Sequence, residues 1–141
     1  MEVVETKTRV RYGETDRMGV VYHANYFVYF NLGRAEFLRA RGCPISELEK
    51  RGFILPVVEA TIRLKASARY DDAIVIRTSL EKATKYTLIF RTEVAKEDGN
   101  VLLAKGTVTL ACATREGKLQ KIPADLAQAL GAEGPHRSGF A

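Results

Sequence analysis

Cysteine is scarce in this chain: Cys43 and Cys112 are the only two, far apart and both in apolar surroundings. Counting alone permits a disulfide, but two free thiols in a reducing compartment suit so sparse a pattern better. No Cys-x-x-Cys or His-x-x-x-His spacing occurs, so no zinc site is expected. No apolar run approaches the roughly 20 residues of a membrane span. The opening residues, Met1-Glu2-Val3-Val4-Glu5, are not a basic segment followed by an apolar one, so no export signal is expected. Together these absences point to the cytoplasm. Also missing are a Gly-x-Ser-x-Gly nucleophile elbow, a phosphate-binding Gly-Lys-Ser/Thr loop and a dinucleotide glycine fingerprint.

Charge is only mildly unbalanced, with 22 Lys plus Arg against 17 Asp plus Glu and a net +5. That suits a small polyanionic ligand. The basic residues are spread along the chain, which argues against a nucleic-acid partner. With 141 residues, 46% hydrophobic and 28% charged, the chain fits one globular domain. We expect that domain over residues 1–130, and a Gly-rich, disordered tail over 131–141.

Residues 3–12 alternate, with Val4, Thr6, Thr8, Val10 and Tyr12 on one face, and predict a half-buried strand. Residues 13–24 read as a loop. Over 25–41 the period changes: Tyr26, Tyr29, Phe30, Gly33, Phe37 and Ala40 share one helical face, and Phe27, Leu32 and Leu38 extend the apolar surface. A helix apolar over most of its circumference is a buried helix. Asn25 can cap its start, Gly42 can end it and Pro44 blocks continuation. Gly33 costs the helix about 1 kcal/mol against Ala, a cost offset by close approach to a sheet. Ser46 and Glu49 form a capping-box pattern for a short helix over 46–51 ended by Gly52.

Four alternating runs follow at 57–65, 72–82, 85–96 and 101–114. Asp98-Gly99 marks a turn, and the short links between the last three runs predict antiparallel neighbours. Pro123 opens a short helix over 123–130. Five strands and one long apolar helix predict an α+β hotdog fold, a five-stranded antiparallel sheet wrapped around the helix.

Chemistry concentrates in Tyr12-Gly13-Glu14-Thr15-Asp16-Arg17-Met18-Gly19-Val20-Val21-Tyr22-His23-Ala24-Asn25-Tyr26, just ahead of the long helix. Helix-start amides are unpaired and carry partial positive charge, so they suit an oxyanion. Asp16 can act as a nucleophile or as a base that activates water. The His23 amide can point at a carbonyl, and its imidazole can orient water or a leaving group. On their own terms, an aspartate before a helix is most often a turn residue, and a lone histidine is more often structural.

Three segments together resemble a known family: R-V-R-Y-G-E-T-D-R-M-G-V-V-Y-H-A-N-Y at 9–26, R-A-E-F-L-R at 34–39 and A-R-Y-D-D at 68–72. They are similar to the 4-hydroxybenzoyl-CoA thioesterase family, most closely its YbgC-type acyl-CoA thioesterases, over roughly residues 5–125. The resemblance implies the hotdog fold and hydrolysis of acyl-CoA to free acid and CoA without metal or organic cofactor. It implies Asp16 as the catalytic carboxylate, through a mixed anhydride or as general base. It implies that the His23 amide polarises the carbonyl and that Tyr12 positions the carboxylate. Family dimers join strands edge to edge, with active sites at the boundary, and often pair into tetramers. Lys82 and Lys85 match a basic stretch that binds CoA in relatives, although a charged hairpin tip is an equally ordinary reading. Ser67 faces the cleft on weaker grounds. One departure is Glu14, where close relatives often have Asp. Competing readings are a hotdog dehydratase of hydroxyacyl thioesters, which relies on a histidine in another setting, and a non-catalytic acyl-CoA or protein-binding module.

Overall fold

The alternation of the first segment closes as β1 (Val3–Arg9), with Val4, Thr6 and Thr8 turned toward the interior. The computed structural model describes residues 2–131. A 3-10 turn (Tyr12–Glu14) follows β1, so Tyr12 leaves the strand's face and stands 79% exposed. The chain then forms α1 (Asn25–Ala40), α2 (Ile45–Lys50), β2 (Phe53–Ile54), β3 (Val57–Leu64), β4 (Ala73–Ala83), β5 (Thr87–Lys96), β6 (Leu102–Ala111), β7 (Ala113–Thr114) and α3 (Ala124–Ala129). The disorder expected of the tail falls, beyond Gly131, outside the described residues.

Five strands make one antiparallel sheet in the order β1-β4-β5-β6-β3. The neighbours β4, β5 and β6 follow from their short links. The β1–β4 and β3–β6 pairings were not legible, because long connections carry no pairing signal. β2 and β7 add a small ribbon, Phe53 opposite Thr114, that alternation over so few residues does not announce.

α1 lies across β1, β4 and β5 and buries Tyr26, Tyr29, Phe30, Gly33, Arg34, Phe37 and Leu38. Gly33 has the expected reason: a Cβ there would overlap Thr78 Oγ1 and Ile76 Cγ2 on β4. Phe37 meets Phe90 of β5 edge to face, with centroids 5.4 Å apart. The helix is less enclosed than its composition suggested. Phe27, Val28 and Ala40 are exposed. Its capping also differs. Ala24 is the N-cap residue, with no side-chain cap, and the Asn25 side chain is used elsewhere. Gly42, at φ +76°, follows the C-terminus as expected. α2 starts after Pro44 without a side-chain cap, so the Ser46/Glu49 box does not form.

β3 is an edge strand, and most of both its faces is open: Val57, Val58 and Leu64 are exposed while Ile62 is half-buried. Cys43 and Cys112 are buried and unbridged. Among the described residues, no helix is long and apolar enough to cross a membrane, and no group of three His, Cys, Asp or Glu side chains is placed to hold a metal ion.

Candidate active site

Beyond β1 the chain keeps its place against the Asp71–Asp72 turn, with Val10 N donating to Asp72 O at 3.0 Å and Asp71 N to Val10 O at 2.9 Å. After the 3-10 turn, Thr15 pairs with Val21 across a tight hairpin. Asp16 N donates to Val20 O at 2.8 Å, and Gly19 N to Asp16 O at 3.0 Å. Gly19 sits at φ +80°, a conformation that costs glycine little and other residues more. The hairpin is fastened to the segment after β3: Val20 bridges Arg69, and Val21 N donates to Ala68 O at 2.9 Å.

Asp16 is half-buried at the head of this hairpin. Its Oδ1 accepts Met18 N at 2.8 Å, with Val20 N farther off at 3.5 Å. The turn role is therefore present, yet it occupies only one oxygen. Oδ2 accepts no hydrogen bond from any described residue.

His23 lies seven residues on, just ahead of α1. Asn25 N donates to Tyr22 O at 2.8 Å and Tyr26 N to His23 O at 3.1 Å, so the chain is already coiling at His23. Ala24 has helical angles, φ −61° and ψ −25°. The amides of His23 and Ala24 donate to no acceptor among the described residues. They are the free donors of a helix start. The His23 side chain is exposed, its ring 4.7 Å from that of Tyr22.

The other expected residues sit less centrally. The Tyr12 ring meets Tyr70 edge to face at 5.9 Å, and its hydroxyl makes no bond to Asp16. Its carbonyl, however, accepts both Thr15 Oγ1 (2.8 Å) and Thr15 N (3.2 Å), beside Asp16. Ser67 is exposed and precedes Ala68, which holds Val21. Lys82 and Lys85 are remote within one protomer. β1 pairs Arg9 with Ala73, so the Asp16 hairpin leaves from one end of β4. Lys82 lies toward the other end, opposite Ile89, and Lys85 lies in the link beyond, with Nζ 5.6 Å from the Tyr86 ring centroid. At about 3.3 Å per residue the separation along β4 is roughly 30 Å.

Two residues escaped the sequence reading of the site. Glu14 Oε1 accepts Tyr29 Oη and Arg11 N, each at 2.8 Å. The Glu14 carbonyl accepts Tyr22 N at 2.9 Å and Asn25 Nδ2 at 2.8 Å. Burial first, and then the Glu14 bond, pushes the Tyr29 hydroxyl well above its ordinary range. A signal was available: a tyrosine on a buried helix face needs an acceptor for its hydroxyl.

Comparison with known proteins identifies the class as the hotdog-fold thioester hydrolases. A Thermus thermophilus protein of known structure, TT1821, is 39% identical and superposes with a TM-score of 0.84, covering 90% of this chain and 96% of that one. The DHNA-CoA thioesterase of Staphylococcus aureus is 28% identical with a TM-score of 0.88, covering 93% and 90%. The acyl-CoA thioester hydrolase YbgC of Escherichia coli is 32% identical over 104 residues, 74% of this chain and 77% of that one. The chain belongs to the thioesterase-like superfamily, whose sequence profile matches residues 10–130, and within it to the YbgC-type acyl-CoA thioesterases.

Proposed function

We propose that this protein hydrolyses acyl-CoA thioesters to free acid and CoA, with Asp16 as the catalytic carboxylate. The observation that carries this reading is the pairing of a half-engaged acid with unpaired helix-start amides. Asp16 is held through Oδ1 and leaves Oδ2 open. The His23 and Ala24 amides are free to meet the oxyanion that forms when the thioester carbonyl is attacked. Asp16 either attacks that carbonyl, giving a mixed anhydride that water then opens, or removes a proton from the attacking water. In both routes the thiolate of CoA leaves. The His23 imidazole, exposed above Tyr22, orients water or the departing thiol, while Tyr12 supports the acid through its main chain.

A second protomer completes the site. The free edge of β3 and the exposed Val57, Val58, Phe27 and Val28 support edge-to-edge pairing of two copies, and then of two dimers. Pairing offers Lys82 and Lys85 of the neighbouring chain to the CoA phosphates, with Ser67 lining the cleft. The buried, unbridged Cys43 and Cys112 support a cytoplasmic location.

The test is a panel of acyl-CoA substrates followed with a thiol-reactive dye. Asp16→Asn should lower turnover at least ~100-fold with the fold intact, as when a key catalytic group is removed. Near-normal turnover would sink the assignment. The Oδ1 bond to Met18 N favours a second reading, in which the acid is structural and the protein only binds acyl-CoA. Tight binding without thiol release would establish that reading.

A further inference from the structure

We infer that Glu14 is a positioning residue that sets the distance between the Asp16 carboxylate and the free helix-start amides, with Tyr29 as its anchor. The inference rests on the reading of Asp16 and those amides given above.

Four bonds from separate parts of the chain converge on Glu14. Its side chain accepts Arg11 N, at the end of the strand segment, and Tyr29 Oη, on the buried face of α1. Its carbonyl accepts Tyr22 N and Asn25 Nδ2. These last two donors bracket His23 and Ala24 in the chain. The two unpaired amides are therefore suspended between residues tied to one carbonyl oxygen. Asp16 lies two residues beyond the same oxygen, its hairpin closed by the Thr15–Val21 bridge. Moving Glu14 would shift acid and amides relative to each other without touching either.

Tyr29 makes the tie a firm one. It is buried within α1, and its ring packs edge to face on Tyr26 at 5.7 Å. Its hydroxyl stays protonated and serves as a fixed donor. A surface glutamate in a turn would need no such partner. Glu14 has its Oε1 spoken for by two donors.

The experiment compares Glu14→Ala, Glu14→Gln, Tyr29→Phe and the double variant with Asp16→Asn, measuring kcat and KM and recording circular dichroism. Misplacement on the scale of an ångström costs about 100-fold. Glu14→Ala should therefore lose roughly 10- to 100-fold in kcat with KM within about twofold, because no binding surface is altered. Glu14→Gln keeps an oxygen of the same reach for both donors and should restore most of the loss. Tyr29→Phe should lose less, and should add little in the Glu14→Ala background, as expected of residues acting through one bond. Should Glu14→Ala fail to fold, Glu14→Gln and Tyr29→Phe carry the comparison. The inference is overturned if folded Glu14→Ala or Tyr29→Phe keeps full kcat while Asp16→Asn is inactive. It is overturned equally if Glu14→Gln is as poor as Glu14→Ala, which would mean that the charge acts in the chemistry. Retained activity in Asp16→Asn would instead remove the reading of the active site itself.

Discussion

The proposed mechanism gives His23 two separable parts, its backbone amide and its ring, and puts more weight on the amide. Its amide belongs to the helix start, whereas its ring stands in solvent beside Tyr22. His23→Ala retains the amide. We expect it to lose about 10-fold in kcat, well short of Asp16→Asn, since loss of one positioned side chain commonly costs 100-fold or more only when it does the central chemistry. A loss equal to that of Asp16→Asn in steady-state assays would assign the imidazole a direct role. Tyr29 gives a pH prediction. Its folded-state pKa lies above the ordinary 10.0, so the unfolded chain releases this proton first. Its contribution to stability is complete below about pH 10 and declines above it. Melting temperatures between pH 8 and 11 should fall at the alkaline end, and Tyr29→Phe should flatten that fall. Burial also pushes the thiols of Cys43 and Cys112 up. Both should react slowly with a thiol dye in the native protein and fully after denaturation, which keeps the background of the hydrolysis assay low.

Among the elements, the helix and the strands were legible because their periods are set by the core they bury. Tyr26, Tyr29, Phe30, Gly33 and Phe37 recur at helical spacing, and Leu88, Phe90 and Val94 recur at strand spacing, all now buried. Asp16 and His23 were singled out through a local motif. Glu14 and Tyr29 were not, because their bond joins residues fifteen positions apart through the fold. Tyr12 was misplaced for the same kind of reason: alternation continues on paper past Arg9, but the 3-10 turn breaks it. Capping failed too: Asn25 is already the first residue of α1, one place past the N-cap, and its Nδ2 donates to the Glu14 carbonyl. The glycines tested element packing correctly. Gly33→Ala gains helix propensity of about 1 kcal/mol, yet its methyl would press into Thr78 and Ile76. Overpacking costs about 1–3 kcal/mol, so urea unfolding should find it neutral to destabilised. Gly106→Ala should be worse, because the added carbon would overlap the Thr61 carbonyl, which is backbone and cannot rotate away.

At the scale of the whole molecule, the proposed assembly rests on β3, an exposed edge strand. Its exposed Val57, Val58 and Leu64 could not be read as open from their alternation, which looks the same whether a neighbour covers them or not. A charge placed there, Val58→Lys, should reduce the sedimenting mass to one 15.7 kDa chain and abolish most turnover together. A monomer with full activity would argue for a site complete within one protomer.

The length of β4 then has a kinetic meaning. On the proposed reading, β4 keeps Asp16 and the two lysines at opposite ends of one strand, so that no single copy would grip both the reacting carbonyl and the phosphates of one CoA thioester. Rate per chain would not be constant on dilution: below the concentration at which copies associate, velocity should fall with the square of protein added, and an inactive copy mixed in should rob its active neighbour or rescue it according to which end it has lost.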